Sequence, residues 1–275
     1  ASRNYQKAKE LAVNFDCEAI EGYENILKRE DLDAIYIPLP TGIHAYWIDR
    51  AIEYGKHVYC EKSFTNNYKT TENLIKKARK KNLVLMEGFM FIYHGQQKKI
   101  KKIINQGLIG EVRSFSGHFG FPPLDKENFR YSKELGGGSL LDAGAYPLRA
   151  ARYFINDKLK VENANLFFDK NKGVDIWGSA YLKTSTSQAA FLSFGFNNSY
   201  KCSYEIWGSK GHLSTEKAYT PNSKMKTKII FEDKNGKQFI EVDPDDHFKN
   251  ILIEFFKSIS NKQYEIHYAD IAEQG

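Results

Sequence analysis

Cysteine is scarce in this chain. The three present among 275 residues, Cys17, Cys60 and Cys202, show no CxxC spacing and no adjoining histidine cluster. That excludes a disulfide framework and a zinc centre, no other metal site is expected, and a reducing, cytoplasmic setting fits. No run of about 18 apolar residues occurs and no signal-peptide pattern opens the chain, so no association with a membrane is expected. Neither sign of charge dominates: 40 Lys and Arg against 34 Asp and Glu leave +6, and the lysines are spread through amphipathic segments. Nucleic-acid binding calls for a gathered basic tract, so the excess suits solvated faces and an anionic small ligand. Internal repeats and low-complexity linkers are also absent.

What is present is apolar material, 41% of the chain with 14% aromatic, enough for substantial cores. A length of 275 residues is long for one compact domain, and two are expected. The first third alternates strands and helices. AIYIPLP (34–40) is a continuous apolar run, as a strand covered on both faces requires. HAYWIDRAIEYG (44–55) follows as a helix with Trp47, Ile48, Ala51 and Ile52 on one face and Gly55 as its stop. HVYCEK, TTENLIKKARKKN (70–82) and LVLMEGF (83–89) continue a βαβαβ run, which implies parallel strands with right-handed crossovers. Ligands of such sheets sit beyond the carboxyl ends of the strands, here Pro40-Thr41, Glu61-Lys62 and Glu87-Gly88. After about residue 95 the pattern changes to a helix (95–107) and then to alternating strands separated by NKG, GSKG and KNGK turns. A mainly antiparallel sheet is expected, with helices on one face. HFKNILIEFFKSIS (247–260) closes with a helix whose apolar face is Phe248, Ile251, Leu252, Phe255 and Phe256. The expected division is 1–95 and 96–275.

GGGSLLDAGAYPLRAARYF (136–154) carries a second signal. Gly136 to Gly138 provide a flexible entry, Ser139 is positioned to cap a helix, and Asp142 three residues later completes a capping box. Tyr146 falls four residues after Asp142 on the same face, and Pro147 is expected to kink the helix. The structural alternatives are plain: Asp142 as a cap, Tyr146 as packing, Lys62 as a solvated strand end.

Together GKHVYCEKSF, IPLPTGIHAYWIDRAIEYGKHV, EGFMFIYH and GGGSLLDAGAYPLRAARYF resemble the Gfo/Idh/MocA oxidoreductases, with order and spacing matching from residue 1 to about residue 260. The resemblance implies α/β architecture: a Rossmann parallel sheet, incomplete here, then an α+β domain with a large open, mainly antiparallel sheet. FGFPPLDKENFRYSKELGGGSLLDAGAYPLRAA, EKAYTP and DPDDHF point within the family to the NADPH-dependent sugar-nucleotide 3-ketoreductases of deoxysugar pathways. The implied reaction is reduction of a nucleotide-linked 3-keto-6-deoxyhexose, with Lys62 and Tyr146 as proton-donating pair. Asp142 shapes the pocket, and Arg130, Tyr131 and Arg149 are further substrate contacts. A lysine ammonium about 4 Å from the phenol, at an effective dielectric near 20, stabilises a phenolate by up to about 4 kcal/mol, or about 3 pKa units. Lys62 is thus expected to tune Tyr146 or to hold the substrate oxygen directly. Two positions depart from the family pattern: Ser63 stands where proline is usual, removing a preset φ, and Ile92 stands where arginine is common. Alternative activities of the same branch are aldose oxidation and dihydrodiol dehydrogenation, and the rival class is a non-catalytic sugar-binding relative.

For the cofactor, no GxGxxG follows an opening strand. ASRNYQKAKELAVNF resembles the exit of a second Rossmann strand, so about 30 residues on the scale of a βαβ unit are expected to be absent. The end stops at ADIAEQG as a helix begins, so the chain reads as a fragment, expected to bind NADPH weakly. Ser2 and Arg3 suit a 2′-phosphate better than ribose hydroxyls, which favours NADP(H) over NAD(H). Leu39, Pro40, Thr41, His44, Glu61 and Lys62 complete the expected cofactor-binding set. The small-molecule substrate aside, the expected partner is a second copy of the chain, as a homodimer or homotetramer formed through the open sheet.

Overall fold

The computed structural model describes all 275 residues. The chain opens with helices α1 (Tyr5–Val13) and α2 (Tyr23–Leu27). Strands β1 (Ala34–Ile37), β2 (His57–Cys60) and β3 (Leu85–Glu87) then form a parallel sheet in the order 1-2-3, joined by α3 (Thr41–Glu53) and α4 (Tyr68–Lys80). Ile37, Val58, Cys60 and Leu85 are buried against Ile48 and Ile52 of α3 and against Leu74, Ile75 and Ala78 of α4, as the continuous apolar runs required. Helix α3 begins three residues earlier than expected. Pro40, at ψ 142°, sets its entry without a side-chain cap, whereas Asn67 caps α4 by accepting from the Thr70 amide at 3.1 Å. Before β1, one parallel bridge joins Ser2 and Glu21. β1 has a strand neighbour on its β2 side only.

A 3₁₀ turn (Met90–Tyr93) and α5 (Gly95–Asn105) lead into the second sheet. Its first strand is β4 (Val112–Gly120), followed after a π-helical turn (Leu140–Gly144) and α6 (Ala145–Phe154) by seven more. These are β5 (Lys160–Phe168), β6 (Asp175–Lys183), β7 (Ala189–Gly195), β8 (Lys201–Gly208), β9 (Gly211–Glu216), β10 (Thr227–Asp233) and β11 (Gly236–Val242). The order is 11-10-9-8-4-7-6-5, antiparallel except where β4 meets β7. β9 lies where only a GSKG turn was expected; its alternation is short, with Leu213 and Thr215 turned inward. Cys202, Tyr204 and Ile206 of β8 point into the core, while Trp207 stands on the open face.

Helix α7 (His247–Ser260) matches its expected span but not its expected face. Ile251 and Phe255 are buried, whereas Phe248, Leu252 and Phe256 are 51, 38 and 57% exposed. The helix lies against the Met90–Tyr93 turn, and Phe255 meets Tyr59 at 5.9 Å, so its buried seam is narrow. Helix α8 (Tyr268–Gln274) returns to the smaller sheet, placing Tyr268 and Ile271 in that core. No helix is long and apolar enough to cross a membrane.

Candidate active site

Lys62 follows β2 by two residues, and three contacts hold the segment that carries it. The buried His44 ring presents Nδ1 to the Ser63 carbonyl at 2.9 Å and Nε2 to the Leu39 carbonyl at 2.5 Å. Ser63 Oγ donates to the Leu141 carbonyl at 2.8 Å, and the Phe64 amide donates to Glu87 Oε1 at 2.7 Å. The Lys62–Ser63 peptide bond is cis. Lys62 Nζ donates to the Asp142 carbonyl at 2.9 Å and to its Oδ1 at 2.5 Å, while Arg130 Nε donates to Asp142 Oδ2 at 2.6 Å. One carboxylate therefore joins a lysine beyond the parallel sheet to an arginine of the second unit.

The capping box expected at 139–142 does not form. Ser139 Oγ donates instead to Asp175 Oδ2 at 2.7 Å, and that oxygen also accepts the Leu140 amide at 2.6 Å. The cap thus comes from the first residue of β6, and Asp142 is free to face Lys62 and Arg130. Asp175 gave no local signal, because its partners lie 35 and 36 residues away. The local irregularity is the π-turn at 140–144. Pro147 sits in the first turn of α6, where its missing amide is tolerated.

The expected entry flexibility of Gly136 to Gly138 is replaced by close packing. The Gly42 amide donates to the Leu135 carbonyl at 2.8 Å, a Cβ on Gly42 would lie 2.5 Å from the Glu134 carbonyl oxygen, and Gly136 adopts φ +72° against it. Backbone thus meets backbone between the start of α3 and the loop before the π-turn.

Tyr146 is buried in an aromatic box of Phe89, Phe91, Phe119 and Tyr219, at centroid distances of 5.1 to 5.9 Å. Lys62 Nζ lies 5.1 Å from the centre of its ring, and its hydroxyl makes no hydrogen bond within the chain. The expected lowering of the phenol's pKa is not what these surroundings produce. Burial pushes it well above its ordinary value, and the charges of Asp142 and Glu61 add to the rise. Asp142 moves the other way: burial raises its carboxyl, but Lys62 and Arg130 more than offset this and hold it below the usual range. The arrangement is a neutral phenol beside an ionised, doubly paired carboxylate.

Other candidates fall into different places. Tyr131 is buried, its hydroxyl accepting the Leu124 amide at 3.0 Å, with Lys172 Nζ 3.2 Å from its ring centre. Arg149 does not join the Asp142 cluster but pairs with Asp270 of α8 at 2.5 Å. His44, expected on the cofactor-lining loop, is fully buried and directs both ring nitrogens at carbonyls, which makes it a brace between that loop and the lysine segment. Leu39, Pro40 and Thr41 do form the turn from β1 into α3, and Glu61 accepts from the Tyr36 hydroxyl at 2.7 Å. Ser2 is held by backbone bonds to Ile20 and Gly22, and the exposed Arg3 makes no ion pair. The free guanidinium of Arg3, the Leu39–Thr41 turn and Glu61–Lys62 have the chemistry to hold an anionic dinucleotide.

Residues 1–89 match the family described as "Oxidoreductase family, NAD-binding Rossmann fold", and residues 97–214 match "GFO/IDH/MocA C-terminal domain". The chain is similar to dTDP-3,4-didehydro-2,6-dideoxy-alpha-D-glucose 3-reductase of Saccharopolyspora spinosa, 40% identical over 259 residues that cover 94% of this chain and 78% of that one. The reductase of the same name from Actinomadura kijaniata is 36% identical over 264 residues, covering 96% and 80%. A crystal structure of a 3-ketoreductase from Actinomadura kijaniata with NADP and TDP-benzene superposes with a TM-score of 0.95 at 34% identity, over 99% of this chain and 84% of that one. That enzyme was also solved with one tyrosine replaced by phenylalanine and one lysine replaced by alanine. Those two positions stand 84 apart, the separation between Lys62 and Tyr146.

Proposed function

The chain belongs to the Gfo/Idh/MocA oxidoreductase family, and we propose that it uses NADPH to reduce a keto-sugar nucleotide of the 3-keto-6-deoxyhexose type. The observation that carries this reading is the meeting of Lys62, Arg130 and Tyr146 around Asp142 beyond the carboxyl end of β2. The relatives at 36 and 40% identity are both 3-reductases of the same dTDP-linked hexose, and the superposed structure holds NADP. Residues 1–95 serve as the dinucleotide-binding domain and 96–275 as the substrate-binding and oligomerisation domain, with α8 folded back on the former.

Ser2, Arg3, the Leu39–Thr41 turn, Glu61 and Lys62 hold the cofactor, with Arg3 on the 2′-phosphate. When bound, the cofactor supplies a hydride to the ketone carbon. Tyr146 then donates its proton to the ketone oxygen as negative charge develops there. Lys62, with Nζ about 5 Å from the ring centre, is the cation beside the resulting phenolate. Asp142 opposes the phenolate but fixes the direction of both Lys62 and Arg130. Arg130 and Tyr131 border the substrate side. Stacked aromatic pairs on the open sheet, Phe167 with Trp177 and Tyr181 with Phe191, favour pairing of two copies through that face as a homodimer or homotetramer. Three unpaired cysteines accord with a cytoplasmic setting.

Reduction with 4-deuterated NADPH is the test. One deuterium at C3 of the hexose is expected in the nucleotide-linked product. Label at C1, or in a released free sugar, would overturn the assignment.

A further inference from the structure

Glu87 ends β3, directly beside Cys60 in the strand register, and reaches across the strand tips to the segment that follows Lys62. Its Oε1 accepts the amide of Phe64 at 2.7 Å, and the Phe64 side chain is buried in the smaller core. This is the third of the contacts that hold the segment. Ser63 Oγ and His44 act on residue 63, and only Glu87 brings a carboxylate. The far side of Glu87 borders a cavity of about 20 Å³, lined also by Tyr93, Arg149, His267 and Asp270.

We infer that Glu87 is a positioning residue for Lys62, acting through the Phe64 amide, and that its ionised form is the one that keeps the lysine on Asp142. A charged acceptor binds an amide about twice as strongly as a neutral carboxyl does, so protonation loosens the segment without abolishing the contact. Burial raises the carboxyl to about 7, opposed by the Phe64 amide and by Arg149 and Arg152 of α6, while Asp270 of α8 adds to the rise. His267 lines the same cavity, and Cys60 at the end of β2 and Glu61 just beyond it flank Glu87. The loosening therefore falls inside the working pH range.

The inference rests on the proposed reduction only where turnover is the readout, so its test has two arms. In the first, acylation of Lys62 is followed by peptide mass spectrometry from pH 5.5 to 8.5 and corrected for the amine's own ionisation. Wild-type protein is expected to show an about 5-fold drop in Lys62 reactivity centred near pH 7, the ratio between a charge-assisted and a neutral hydrogen bond. Glu87→Gln is expected to stay at the higher, acid-side level throughout. In the second arm, kcat of the wild type rises by a similar factor over the same range, and the rise vanishes in Glu87→Gln. A reactivity step that persists in Glu87→Gln, or is absent from the wild type, overturns the inference. If no sugar nucleotide is turned over at all, the functional reading fails while the labelling arm still decides the role of Glu87. Should the variant not fold, the Phe64 amide resonance of the wild type decides instead: it must titrate near pH 7, and a flat shift there refutes the link.

Discussion

Replacing Asp142 by asparagine removes the one negative charge that Lys62 and Arg130 share. The change is nearly isosteric, yet it converts one acceptor oxygen into a donor, so either Lys62 Nζ or Arg130 Nε loses its side-chain acceptor, Lys62 keeping the backbone carbonyl. At charge separations of about 3 to 4 Å and an effective dielectric near 20, each pair is worth about 4 to 6 kcal/mol before desolvation is subtracted. Breaking a buried pair by removing one partner costs about 3 to 5 kcal/mol net. The Arg130 side chain is 30% exposed, which places the expected loss lower, at about 2 to 3 kcal/mol. Urea unfolding at pH 7 measures it, and pH provides an internal check. Because the Asp142 carboxyl is depressed in the folded protein, its contribution is fully present above the ordinary value of 3.8 and is lost as pH falls through the folded value. Wild type and Asp142→Asn are therefore expected to converge in acid. Turnover should fall about 10²-fold, as for a misaimed catalytic group. A variant within about 0.5 kcal/mol of wild type at pH 7, with turnover within about 2-fold, would refute the role given to Asp142 as the hub.

Tyr146→Phe should lower turnover by about 10²-fold or more while NADPH affinity, followed by fluorescence titration, is kept; undiminished turnover across pH would assign the acid elsewhere. Arg3→Ala should reduce the preference for NADPH over NADH by about 10-fold in kcat/KM, through loss of one charge-assisted contact. Gly42→Ala should cost about 1 to 3 kcal/mol in urea unfolding, since the added Cβ meets the Glu134 and Leu135 backbone at 2.5 Å. His247 is buried and held down to about 4, so the stability owed to its neutral form is full above pH 6.5 and falls away toward pH 4, by up to about 3 kcal/mol. The stability difference between wild type and His247→Phe should therefore shrink as pH drops through that window.

The parallel layer was legible because doubly covered strands leave continuous apolar runs, and AIYIPLP, HVYCEK and LVLMEGF each became a strand of the smaller sheet. Strand β9 escaped because its alternation spans only six residues directly after a turn. The face of α7 was misjudged for a different reason: periodicity shows which residues align, not how wide a surface awaits them, and Phe248, Leu252 and Phe256 found none. At the site, the motifs pointed to Lys62, Asp142 and Tyr146 but not to the cap at Asp175 or the tether at Glu87. Those act across 36 and 23 residues, distances over which local pattern carries no information. The phenol argument failed in sign because it counted Lys62 without the burial and the carboxylate that travel with it.

The most direct measurement of the central claim is consumption of NADPH by the purified protein with a nucleotide-linked 3-keto-6-deoxyhexose, alongside the free keto-sugar and simple aldoses. Turnover dependent on the sugar nucleotide, at least about 10-fold slower with NADH, is the expected result. Equal rates with both cofactors, or turnover of free aldoses with none of the sugar nucleotide, would contradict it.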